Sequence, residues 1–147
     1  MSLEELYREV ILDHYRNPRR RDALAAPTAH AEGHNPLCGD EITIDVAVSD
    51  GKLSEIAVSG QGCSISQASA SMMAEAVTGK TLEEVDTLTG QFKSMMGIGD
   101  GADPIDPERP GATLGDLESL QGVKKFPVRI KCADLGWTTL EEALSSD

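Results

Sequence analysis

Three cysteines, Cys38, Cys63 and Cys132, together with Asp40, are the side chains of this chain whose types could do metal or sulfur chemistry. Cys38 is followed by Gly39 and Asp40, so a thiolate and a carboxylate can face one ion across a glycine that lets the backbone bend. Cys63 follows Gly62 at an expected helix start, where unpaired amides and the helix dipole favour the thiolate form. Cys132 stands among Arg129, Lys131 and Asp134, and positive neighbours lower a thiol's pKa. Three thiolates and one carboxylate make a tetrahedral zinc set, with bonds of about 2.3 Å to sulfur and about 2.0–2.2 Å to oxygen. Spacing alone does not single out that reading. There is no C-x-x-C pair, and three buried free cysteines acting as small hydrophobes fit the spacing at least as well.

Composition narrows the classes. At 147 residues, with 39% hydrophobic and 26% charged, the chain has the balance of one folded domain spanning 1–147 rather than a disordered segment. Aromatics are only 3%, so Leu, Ile, Val, Met and Ala must supply the core. A formal charge of -12 opposes a polyphosphate partner, which argues against nucleic acid. The basic run Arg16, Arg19, Arg20 and Arg21 is too short to overturn that and reads as a solvated helix end. No apolar run approaches the ~20 residues of a membrane span, and the N-terminus lacks the order of a secretory signal, so a cytoplasmic location is expected. An odd number of thiols in a reducing compartment points to metal binding or catalysis rather than bridges.

The elements that must position these side chains follow from periodicity. Ser2 and Glu5 form a capping-box signature, and Leu3, Leu6, Tyr7, Val10, Ile11 and His14 recur at helical spacing until Pro18. Residues 18–37 show no period and contain Pro27, Gly33 and Pro36, which predicts a mobile connection that delivers Cys38. Glu41 to Ser49 alternates, and Asp50-Gly51 signals a hairpin turn into Leu53 to Ser59. Helices are predicted over 64–77 and, behind the capping box Thr81/Glu84, from Leu82 to near Met96. A Gly/Asp/Pro-rich loop covers 97–111, a short helix 114–120, and a last helix begins at Pro127 and runs through Ala143. Gly136 weakens that last helix by about 1 kcal/mol relative to alanine.

Several segments, in this order, carry a resemblance. They are Tyr7 with Ile11-Leu12-Asp13-His14-Tyr15-Arg16-Asn17-Pro18, then Asn35-Pro36-Leu37-Cys38-Gly39-Asp40, then Gly60 to Met73, and Phe126-Pro127-Val128-Arg129-Ile130-Lys131-Cys132-Ala133. On these blocks the chain resembles the SufU/IscU (NifU N-terminal-like) family of iron-sulfur cluster assembly, from Leu6 to about Ala143. Within it the chain looks like the SufU branch. The Leu-Pro-Pro-Val-Lys chaperone-docking motif of IscU-type chains is absent, Lys131 stands where they carry a histidine before the third cysteine, and Gly97 to Leu120 looks like the SufU insertion.

The resemblance implies an α+β fold, a small antiparallel sheet packed with helices. It implies zinc held by Cys38, Asp40, Cys63 and Cys132. It also implies sulfurtransferase activity with a pyridoxal-phosphate cysteine desulfurase of the SufS type, and downstream iron-sulfur assembly proteins as further partners. Cys38 is the expected persulfide acceptor because it sits on a loop, and Arg129 resembles a family arginine near the site with an auxiliary electrostatic or docking role. Two other readings stay open: a scaffold that builds a cluster on the same ligands, and a structural zinc domain. Asp100, Asp103 and Asp106 read as a solvated loop because the terminal glutamate of a calcium loop is missing. His30 and His34 read as loop residues, and His14 as a packed histidine. Met72, Met73, Met95 and Met96 read as core or interface filler.

Overall fold

The computed structural model describes residues 2–36, 39–99 and 101–145. Cys38, the expected acceptor, and Asp100 lie outside the described residues. The first helix, α1 (Leu3–Arg16), starts as its sequence predicts, with Ser2 Oγ accepting the Glu5 N–H at 3.1 Å. Three strands follow, β1 (Ala29–Asn35), β2 (Asp40–Ser49) and β3 (Lys52–Gln61), in the antiparallel order β1-β2-β3. Then come α2 (Ser64–Val77), α3 (Leu82–Met95) with both halves of the Thr81/Glu84 capping box formed, a 3-10 segment η1 (Gly115–Lys125), and α4 (Pro127–Ser145).

The expected α+β architecture is therefore present, with two corrections. The second half of the connection predicted for 18–37 is a strand, so His30 and His34 are strand residues rather than loop residues. Its sequence, AHAEGHN, lacks the branched and aromatic side chains that favour strands, which is why no period was visible. The alternation is nevertheless there in burial, with Ala29, Ala31, Gly33 and Asn35 turned inward and His30, Glu32 and His34 outward. Small inward residues are required because α4 lies close: a Cβ on Gly33 would stand 2.0 Å from Thr139 Oγ1. The second difference is that the short helix predicted for 114–120 is 3-10 and extends to Lys125.

The core is the space between the sheet and the helices. Ile42, Ile44 and Val46 of β2 and Leu53, Ile56 and Val58 of β3 pack with Met72, Met73 and Val77 of α2 and with Trp137 and Leu140 of α4. Phe92 of α3 stacks on Trp137 with ring centroids 4.7 Å apart, so the few aromatics are concentrated where α3 meets α4. Gly136, a weak helix former, allows α4 to approach α2: a Cβ there would already lie 3.3 Å from Ala70 Cβ. Of the basic run, Arg19 pairs with Asp13 at 2.7 Å and Arg20 with Glu75 at 3.2 Å. Among the described residues, no helix is long and apolar enough to cross a membrane.

Candidate metal centre

Asp40 opens β2 and is 1% exposed, an unusual place for a carboxylate without partners. Its Oδ1 accepts the backbone N–H of Cys63 at 2.8 Å, and its Oδ2 lies 3.8 Å from Cys63 Sγ. Cys63 is the N-cap residue of α2, as predicted, but its own side chain makes no capping bond. The carboxylate of Asp40 reaches across from the sheet instead, placing an anion where the helix dipole is positive. This approach depends on Gly62. Its φ is +150°, and a Cβ would meet Asp40 Oδ1 at 2.3 Å, so any side chain there would push the carboxylate off the Cys63 amide.

Cys132 comes from the opposite side, on α4, and is fully buried. Ser69 Oγ donates to the carbonyl of Ala133 at 2.6 Å and so fastens the turn next to Cys132 onto α2. Asn35, 7% exposed, directs its Nδ2 at Cys132 Sγ at 3.6 Å. Arg129 and Lys131, the positive neighbours read from the sequence, are both exposed, whereas the sulfur they flank is inside. Two residues further on, burial pushes the Asp134 carboxyl above its usual range, only partly offset by Lys93 at 3.9 Å.

The outcome is a convergence from three distant segments. One ligand atom each from Asp40, Cys63 and Cys132 lies within 4.8 Å of the other two. Ligand atoms around tetrahedral zinc stand about 3.6–3.8 Å apart, given its bond lengths. The Asp40–Cys63 pair is already at that spacing, and the Cys132 ligand atom lies within 4.8 Å of both. The donor set of two sulfurs and one carboxylate oxygen suits zinc. Cys38, which the sequence reading adds as a ligand, lies between Asn35 and Asp40 in the chain, and those two residues are paired across β1 and β2.

Other candidates fall elsewhere. Arg129 borders a groove of about 410 Å³ with Ile65, Gly122, Val123 and Phe126, one helical turn before Cys132. His30 and His34 lie on the outer face of the sheet, His30 bonded to Asp45 and His34 3.9 Å from Glu41. Asp103 and Asp106 accept backbone N–H groups of Ile105 and Glu108, the ordinary work of loop aspartates. Asn35 is the residue sequence reasoning missed. The available signal was an amide at an inward position of a strand whose other inward residues are alanine and glycine.

The NifU-like N terminal domain model matches residues 6–133. The chain belongs to that family. It is 42% identical, over 99% of its length and 94% of the relative's, to the zinc-dependent sulfurtransferase SufU of Bacillus subtilis (strain 168). It is 41% identical, over 97% of its length and 85% of the relative's, to the iron-sulfur cluster assembly scaffold protein IscU of Streptococcus pyogenes serotype M1. A crystal structure from Fervidobacterium islandicum AW-1, of a protein proposed as the iron-sulfur cluster assembly scaffold of the SUF system, superposes with a TM-score of 0.81. It is 31% identical, with 98% of this chain and 100% of that one covered. The resemblance seen in the sequence motifs and the α+β fold it implied thus hold.

Proposed function

We propose that this protein is a zinc-dependent sulfurtransferase of iron-sulfur cluster assembly, accepting the terminal sulfur of a cysteine desulfurase persulfide on Cys38. The observation that carries the reading is the meeting of Asp40, Cys63 and Cys132, within 4.8 Å of one another, beside the chain segment that contains Cys38. The similarity to the Bacillus subtilis SufU over nearly the full length supports it. Asp40, Cys63, Cys132 and Cys38 would hold zinc, which when bound keeps thiols deprotonated without redox chemistry of its own.

A sulfur acceptor must be a thiolate and must not react indiscriminately while waiting. Cys63 and Cys132 are tied down, one at the start of α2 and the other inside the protein on α4. Cys38, which falls between Asn35 and Asp40 in the sequence, is the sulfur assigned to transfer. Its thiolate attacks the outer sulfur of the desulfurase persulfide. A new sulfur–sulfur bond forms on Cys38, the old one breaks, and the desulfurase cysteine leaves as a thiolate, so no external oxidant is needed. Arg129, exposed beside the groove, is assigned a supporting role in steering the partner. Phe126 and Val128, exposed at 60% and 55% on the approach to Cys132, offer that partner an apolar rim.

The test is a cysteine desulfurase assay with cysteine and a reductant. Wild-type protein should stimulate alanine and sulfide production, and Cys38→Ser should not. If the variant still acquired a persulfide and supported full turnover, the acceptor assignment would fail. The similarity to IscU keeps a scaffold as the second reading. Protein purified without air separates the two: colourless protein with zinc supports the transferase, whereas thiolate-to-iron charge-transfer absorption with stoichiometric iron supports the scaffold.

A further inference from the structure

In the sequence Cys38 falls between two feet, Asn35 at the end of β1 and Asp40 at the start of β2, and these two residues are register partners. Each foot is attached to a different sulfur-bearing helix. Asp40 accepts the Cys63 N–H and stands 3.8 Å from its sulfur, while Asn35 points its amide at Cys132 Sγ. We propose that Asn35 is a positioning residue for the metal centre, its side-chain N–H holding the Cys132 thiolate as a fixed ligand while sulfur transfer is left to Cys38. This inference rests on the metal-site reading above and adds a division of labour among the sulfurs.

The geometry is specific to an amide. Asn35 is inward-facing and 7% exposed in a strand whose other inward residues, Ala29, Ala31 and Gly33, make no room for polarity. The residue before a proline is biased to extended backbone, so Pro36 keeps Asn35 in the strand and its side chain on the inner face. A buried amide costs stability unless it is hydrogen-bonded, and Cys132 Sγ, at 3.6 Å, is itself fully buried and large enough to accept at that distance.

The chemical consequence follows from what an N–H does to a thiolate. Donation into a sulfur lone pair withdraws electron density, lowers nucleophilicity and fixes the direction in which the remaining lone pairs point. Cys132 would thereby be the least reactive sulfur of the set and the best oriented. Cys63 Sγ, by contrast, faces the Asp40 carboxylate at 3.8 Å. Hydrogen bonds behind metal ligands commonly matter at this level, and losing one typically costs about 10–100-fold in metal affinity.

Cobalt(II) alone, titrated without air into the reduced full-length chain, provides the test, because its thiolate charge-transfer bands report the electron density on each sulfur. Asn35→Leu keeps the volume and deletes the donor. The expected result is a shift of the sulfur-to-cobalt band to longer wavelength, unchanged tetrahedral ligand-field bands, and affinity lower by roughly tenfold or more. Asn35→Ala, which also deletes the donor and adds no new polar group, should do the same and decides the matter if Asn35→Leu does not fold. Unchanged charge-transfer energy and affinity in a folded variant would overturn the role of Asn35 while leaving the metal site standing. Wild-type protein that binds no cobalt with tetrahedral thiolate bands would overturn both.

Discussion

The helix α2 touches two polar groupings, and they are built on opposite principles. At its N-terminus, Asp40, Cys63 and Cys132 bring acceptors together: two sulfurs and a carboxylate, within 4.8 Å. Two turns further along, Ser71 meets a grouping that is complementary. Its hydroxyl accepts the Arg19 N–H at 3.0 Å and lies 2.8 Å from His14 Nδ1, and His14 Nε2 is 3.0 Å from Asp116. A hydroxyl that accepts from Arg19 can donate to Nδ1, which leaves Nε2–H to donate to the carboxylate. Nearby, the fully buried Glu118 accepts backbone N–H groups from Gly111, Thr113 and Leu114. The second grouping closes on itself with donors matched to acceptors and serves to fasten α1 and η1 to α2. The first gathers two sulfurs and a carboxylate around one point and could hold a cation.

The comparison breaks most sharply with metal. If the acceptor grouping holds zinc, a chelator should lower the melting temperature of the purified protein. With free zinc at 100 to 1,000 times its Kd, linkage amounts to about 2.7–4.1 kcal/mol. Asp40→Ala should abolish most of that dependence, because it removes a ligand and the acceptor on the Cys63 amide together. A thermal melt of each protein, with and without chelator, decides it. Identical chelator sensitivity in wild type and variant would mean that the grouping is not a metal centre.

How much of this could be read from the residues alone differs between the two groupings. Spacing left the acceptor set open, and only the resemblance carried by the blocks around Cys38, Cys63 and Cys132 singled it out; of that set, the described residues bring Asp40, Cys63 and Cys132 together. The glycine at position 62 was legible as a turn, but its second duty, admitting the Asp40 carboxylate, requires knowing that β2 begins alongside it. His14 could be read as packed from its place in the helical repeat, yet its partners Ser71 and Asp116 are remote in sequence and carry no pattern. β1 was hidden because its inward positions are small, a consequence of the close approach of α4 that no local propensity encodes. Asn35 was hidden for the same reason.

The complementary grouping should respond to mutation and not to metal. Glu118→Ala strands three backbone donors, of which that of Leu114 is buried, and should cost about 3 kcal/mol of stability, within the range for buried donors left without a partner. Urea unfolding of the zinc-loaded protein measures this. The loss should be the same after chelation, since nothing in this grouping belongs to the acceptor set. A loss that vanished on removing metal would show the two groupings to be one coupled network.

The outer face of the sheet supplies the smallest effect, because there the same residue types stand in water. His30 is bonded to Asp45, and that hydrogen bond, helped by the charges of Asp45 and Glu32, raises its pKa above the ordinary value against a slight cost of burial. A raised folded-state pKa contributes stability that is complete below the unfolded value of about 6.5 and is lost as the pH rises through the folded value. Asp45→Asn should therefore lower the melting temperature more at about pH 5.5 than at about pH 9, and the difference should shrink in high salt because the pair is half exposed. A pH-independent difference would assign the effect of Asp45 to strand packing. The contrast with Asp40 would then rest on desolvation: a carboxylate beside a histidine in water gains little, whereas the Asp40 carboxyl, 1% exposed, depends on the partners the fold gives it, among them the Cys63 N–H.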